Sequence, residues 1–139
     1  MTENELQDLI RVRHKGFTSY CGVAIDEAGQ GFCRAHVELE ARHLNPRGFA
    51  HGGLQSTLMD VAAGTAAITA CDPPRMMVTQ SAEIHYLRPA SGGRLTAEAR
   101  ARRAGRSVAF VQVDVTDAEG RLVSTGSFEL FYLREPEET

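Results

Sequence analysis

Asn45-Pro46-Arg47-Gly48-Phe49-Ala50-His51-Gly52-Gly53 holds, within nine residues, an amide side chain, an imidazole and two adjacent glycines. A run of mostly small and apolar residues, Leu54 to Ala70, follows and contains one carboxylate, Asp60. The run reads as a buried helix. An unpaired carboxylate among apolar side chains is costly, so Asp60 either belongs to a structural network or does chemistry. At the helix start, free backbone N–H groups with the macrodipole behind them favour negative charge. Gly52 and Gly53 have no side chain to block a ligand there. An acyl carbonyl at that point would be polarised and an addition oxyanion stabilised, a gain of about 3–4 kcal/mol per donor. A carboxylate opposite would act as general base on water or as nucleophile.

Helix geometry decides which chains supply these parts. His51 and Asp60 are nine residues apart. At about 100° and 1.5 Å per residue they point to opposite sides, about 13 Å apart along the axis. One site using both must take Asp60 from one chain and the His51 end from another. A two-fold pair with the helices antiparallel gives two such sites.

The surrounding elements follow from periodicity and breakers. Residues 3–13 form a short amphipathic helix, with Leu6, Leu9, Ile10 and Arg13 in helical spacing. Strands are expected at about 20–26 and 31–40, joined by the turn 26–30. In the second, Cys33, Ala35, Val37 and Leu39 alternate with polar residues, the pattern of a sheet with one wet face. Residues 41–50 are a loop, and the long helix spans about 51–71, ended by Asp72-Pro73-Pro74. Four strands remain, at about 77–88, 93–104, 106–117 and 120–133, with close turns that imply antiparallel pairing. The expectation is an α+β fold, six strands around one long helix, in a single domain over 1–139, with 1–16 as lead-in and 134–139 as a flexible tail. The uncovered sheet face and edges favour an oligomer.

Composition narrows the rest. The 139 residues are 42% hydrophobic with net charge −3, enough for a core and without the basic patch of a nucleic-acid binder. No apolar run reaches the roughly 20 residues of a membrane span, and the acidic N-terminus is unlike a signal peptide. Three cysteines, Cys21, Cys33 and Cys71, at long spacings read as buried thiols in a reducing cytoplasm rather than disulfides or a zinc site.

The motif Asn45-x-x-Gly48-x-x-His51-Gly52-Gly53 with Asp60 resembles the hotdog-fold acyl-CoA thioesterases, in the PaaI-like and thioesterase superfamily member 2-like branch. The stretches Ile84–Ala90, Gly105–Val115 and Gly120–Gly126 match as well, so the similarity spans about residues 17–133. The resemblance implies a sheet wrapped around the long helix, an acyl-CoA substrate, no metal, no cofactor, and homodimers that pair into tetramers. It implies that the Gly52 N–H polarises the thioester carbonyl and that the partner chain's Asp60 is base or nucleophile. Asn45 and His51 would position the thioester or the water, and Thr79 would orient the water or the carboxylate. Beside the resemblance, Gly53 is placed with the substrate, and Arg88, Arg103 and Arg106 are candidates to meet coenzyme A phosphates, although arginines at strand ends are more simply solvated.

Plainer readings stand beside these. His51 serves equally as a helix cap, Asn45 as a turn residue and Thr79 as a strand former. Glu83 and His85 share the strand parity of Thr79, although solvent-facing polar positions explain them more simply. A thioester hydratase-dehydratase and a non-catalytic acyl-CoA binder are the alternative functions.

Overall fold

Thr2 starts the first helix. Its hydroxyl accepts the Glu5 N–H at 3.1 Å and the Glu5 carboxylate accepts the Thr2 N–H at 2.7 Å, a reciprocal cap that satisfies two orphan donors. The computed structural model describes residues 1–134. Helix α1 (Glu3–Arg13) is followed by a four-residue helix α2 (Phe17–Tyr20), strands β1 (Ala24–Gly29) and β2 (Phe32–Glu38), and a 3-10 turn (Ala41–His43). Helix α3 (Gly52–Thr69) precedes β3 (Met77–Tyr86), β4 (Arg94–Ala104), β5 (Val108–Thr116) and β6 (Leu122–Tyr132). The expected tail lies, but for Arg134, outside the described residues.

All strand pairs are antiparallel, in the order β1-β2-β4-β5-β6-β3. Helix α3 lies across the sheet and touches all six strands. Small side chains allow the close approach: Ala62, Ala63, Ala66 and Ala67 of the helix meet a sheet face that includes Ala35, Ala97, Ala99 and Ala109, all fully buried. Leu58, Met59, Ile68, Leu95, Phe128 and Leu130 fill the remaining space. The fold is the one expected, six strands around one helix with a short helix before them.

Two boundaries differ from the expectation. The first strand starts later, because residues 17–20 close a helical turn with Cys21 N–H donating to Phe17 O at 2.9 Å. Asp26 and Glu27 lie within β1 rather than in a turn; their carboxylates pair with His36 and Arg34 on the neighbouring strand. The reversal falls at Gln30-Gly31, whose φ values are 50° and 81°, a conformation glycine adopts without strain. The outer sheet face over β1, β2 and β4 is polar in this chain. That face carries ion pairs such as Arg34–Glu98 and Arg94–Glu38 and is wet. Among the described residues the edge strands are β1 and β3, and β3 is the longer. Of the cysteines, Cys33 alone is buried, and burial pushes its thiol up to about 12, which keeps it protonated and unreactive.

The C-terminal end of α3 is tied to the sheet through Tyr132. Its phenol, 2% exposed, donates to Ala67 O at 2.6 Å. Ala67 O is one of the last four helix carbonyls and has no partner within the helix. Tyr132→Phe should therefore destabilise the protein by about 1–3 kcal/mol, measured as a shift of the urea midpoint with an unchanged slope.

Candidate active site

The N-terminus of α3 is built by its cap. His51 has extended backbone angles (φ −62°, ψ 138°), and its Nδ1 accepts the Gly53 N–H at 2.8 Å. An accepting Nδ1 leaves the proton on Nε2, the nitrogen free to face a ligand. The His51 N–H in turn donates to His43 O at 2.8 Å. The Gly53 amide is thus committed to the cap, while the Gly52 N–H, in the first turn, has no acceptor inside the helix. A Cβ on Gly52 would lie 3.2 Å from the Tyr86 ring, whose hydroxyl donates to Gly52 O at 3.1 Å.

Asn45 shapes the loop before the helix. Its Oδ1 accepts the N–H groups of Arg47 and Phe49 at 2.9 and 3.1 Å. Asn45, Gly52, Gln55, Tyr86 and the exposed Arg88 line one cleft. Of the expected site residues, the structure brings Asn45, Gly52 and Arg88 together on this side of the helix start.

Asp60 is not buried. Helix α3 is covered on every side except a stripe at Gly53, Ser56, Thr57 and Asp60, the i, i+3, i+4, i+7 spacing of one helix face. The Thr79 hydroxyl donates to Asp60 Oδ1 at 2.6 Å, so these two expected residues meet within one chain. A β-bulge at Gln80 shifts the register between Thr79 and Ser81 and exchanges the faces of the strand beyond it. Ala82 and Ile84, not Glu83 and His85, therefore join Thr79 in the cleft beside Asp60. Glu83 and His85 bond each other at 3.0 Å on the opposite face, so the shared parity misleads about their side.

The two halves of the motif stay apart in one chain. His51 lines an apolar cleft with Phe17, Tyr20, Cys21 and Leu54; Asp60 lines a second cleft with Thr57, Thr79 and Phe128. Phe17 and Thr57 border both. Arg106 lies elsewhere: its carbonyl accepts from Arg75 at 2.8 Å, in the β4–β5 hairpin beside the C-terminal end of α3, and Arg103 pairs with Phe110 in the same hairpin.

Several residues at the site have no signal in the motif. His43 is buried, takes the Glu40 N–H on Nδ1 at 2.9 Å and donates from Nε2 to Cys21 O at 2.8 Å. Arg13, spaced as part of the apolar face of α1, donates instead to Thr65 Oγ1 at 2.8 Å and Val61 O at 3.3 Å. Burial draws its guanidinium down, offset in part by Cys33 and Asp60. The missing Cβ of Gly64 makes room for it. Phe17 and Tyr20 are 66% and 72% exposed with stacked rings; two aromatics beside Gly16 were the one visible hint.

A sheet wrapped on a central helix, with amides at the helix start and a carboxylate on its one open stripe, defines a hotdog-fold protein of the thioesterase type. The sequence matches the Thioesterase superfamily over residues 47–124, and the chain belongs to that family. It is 30% identical to human acyl-coenzyme A thioesterase 13 over 75% of each chain. A variant of the phenylacetic acid degradation protein PaaI from Thermus thermophilus superposes with a TM-score of 0.77 at 31% identity, covering 84% of this chain and 98% of that one. A Streptococcus mutans protein bound to acetyl CoA superposes at 0.75, with 28% identity over 83% and 91% of the two chains.

Removing the cap tests its structural share. His51→Ala should cost about 1 kcal/mol of stability, and His51→Asn, which can accept the same N–H, should recover most of it; thermal denaturation of both variants reads the difference.

Proposed function

We propose that the protein hydrolyses acyl-CoA thioesters to the free acid and coenzyme A, at sites shared between two copies of the chain. One observation carries this reading. Asp60 stands on the only open stripe of α3, eight residues from Gly52, about 12 Å along the axis. That separation is too long for both to act on one thioester within a chain. Two α3 helices laid antiparallel bring each Asp60 to the other's N-terminus. The open β3 edge, with Met76, Val78, Tyr86 and Leu87 exposed on or beside it, is a surface that can pair with a second copy. Dimers of this kind would then associate into tetramers.

In this site the thioester carbonyl oxygen rests on the Gly52 N–H, with the His51 Nε2–H beside it. Thr79 fixes one oxygen of Asp60 and leaves the other to act. As a base, Asp60 takes a proton from water as the water oxygen bonds to the carbonyl carbon. As a nucleophile, it forms an anhydride that water then opens. On either route the oxyanion collapses, the C–S bond breaks, and the thiolate leaves with the acid as co-product. The acyl group fits the apolar cleft under Phe17 and Tyr20, of about 250 Å³. The coenzyme arm fits the side where Asn45 and Arg88 lie. Arg106 belongs to such a site only if another subunit brings it there. The His51 ring, with Nδ1 already engaged by the helix, is poorly placed to shuttle protons as a hydratase would require.

Asp60→Asn should keep the fold and lower thiol release from acyl-CoA by a factor on the order of 10² or more. Near-normal turnover would reject the assignment. Sharing of the site has its own test. Gly52→Pro removes the amide hydrogen at the first helical position, where the φ of proline suits, and Tyr86, whose ring would lie 3.2 Å from the added Cβ, must shift to admit it. Each variant alone should be nearly inactive, and a refolded equimolar mixture of the two should regain about a quarter of the wild-type rate. No recovery in mixed dimers would place the whole site in one chain.

A further inference from the structure

Gln55 carries a buried acceptor that nothing among the described residues satisfies. The residue is 4% exposed, one turn beyond the cap, with its backbone N–H on His51 O at 3.1 Å. Its Nε2 donates to Ala50 O at 3.1 Å. A carbonyl can only accept, so this bond fixes the amide orientation and assigns Oε1 to the other side. Oε1 is buried with no hydrogen-bond partner. A buried acceptor left alone is costly, and a polar side chain at this depth in an apolar helix calls for a donor. Gln55 lines the cleft that also holds Asn45, Gly52, Tyr86 and Arg88, so the donor can arrive with a ligand.

We propose that Gln55 is a specificity-determining residue, whose Oε1 accepts the first amide N–H of the thiol arm of the substrate. This rests on the proposed hydrolysis of acyl-CoA and adds the residue that reads the arm. Gly52 and Gln55 are i, i+3 neighbours, with Cβ positions about 5–6 Å apart on one helix face. A coenzyme A thioester carries a secondary amide two carbons from its sulfur. With the carbonyl on the Gly52 N–H, that amide lies about the same distance along the arm as Gln55 lies along the helix. The side chains of Phe49 and Tyr86, 37% and 53% exposed, line the same cleft, and the arm reaches the buried Oε1 by displacing them. Beyond the amide, the arm runs toward Arg88.

The test compares two small thioesters with the same acyl group, one of N-acetylcysteamine and one of 2-acetoxyethanethiol, in which oxygen replaces the arm N–H. The wild-type protein should prefer the amide arm by about tenfold or more in kcat/KM, because the analogue leaves the buried oxygen unpaired. Gln55→Met should bring the ratio toward one. A merely structural glutamine would change both rates together and leave the ratio alone. Equal rates on the two thioesters by the wild-type protein, or an unchanged ratio in a folded Gln55→Met protein, would overturn the proposal and show that the acceptor is served by a water. Failure of the wild-type protein to release thiol from any acyl-CoA would instead remove the hydrolase reading beneath it.

Discussion

Burial of α3 is the constraint on which the structure depends. The sheet must close over a helix whose faces are nearly all apolar or small, and it touches that helix with every strand. Alanines on both sides, fully buried, allow the close approach. Such a helix has one uncovered stripe, so any polar group it carries must lie there or find a partner inside. Asp60 lies there, held by Thr79. Thr65 and Thr69 are buried and bond back to carbonyls one turn earlier. Gln55 is half-satisfied, and that exception is what makes it informative.

The same constraint fixes the ends of the helix. At the C-terminus, Tyr132 supplies a donor to Ala67 O. At the N-terminus, His51 supplies an acceptor to Gly53 and leaves the Gly52 amide to solvent or ligand. This asymmetry gives the start of α3 its electrostatic character. The clefts on either side are both mainly apolar: one lies under Phe17 and Tyr20 with His43 and His51 in its wall, the other is lined by Phe49, Tyr86 and Leu87 with Asn45 and Arg88.

Arg13 links this arrangement to the first helix. Its guanidinium reaches α3 within a turn of Asp60 through Val61 O and Thr65. It thereby anchors the segment that carries Phe17 and Tyr20 over the helix start. His43 does the same from the opposite side, joining the 3-10 turn to Cys21 O. Neither residue stands in the motif, because each acts through contacts between segments far apart in the chain.

The sequence by itself determined the order of elements, the buried character of α3 and the pairing of a glycine-rich helix start with a lone carboxylate. These are local properties, set by periodicity, helix geometry and breakers. Only the tertiary structure decided that Asp60 is exposed, that Thr79 meets it, and that the bulge at Gln80 turns Ala82 and Ile84 inward in place of Glu83 and His85. It also decided that the Gly53 amide is spent on the cap while the Gly52 amide stays open, and that Gln55 ends with an unpaired oxygen. A bulge, a cap partner and an orphaned acceptor depend on which atoms other segments bring near, and residue spacing along one segment does not encode that.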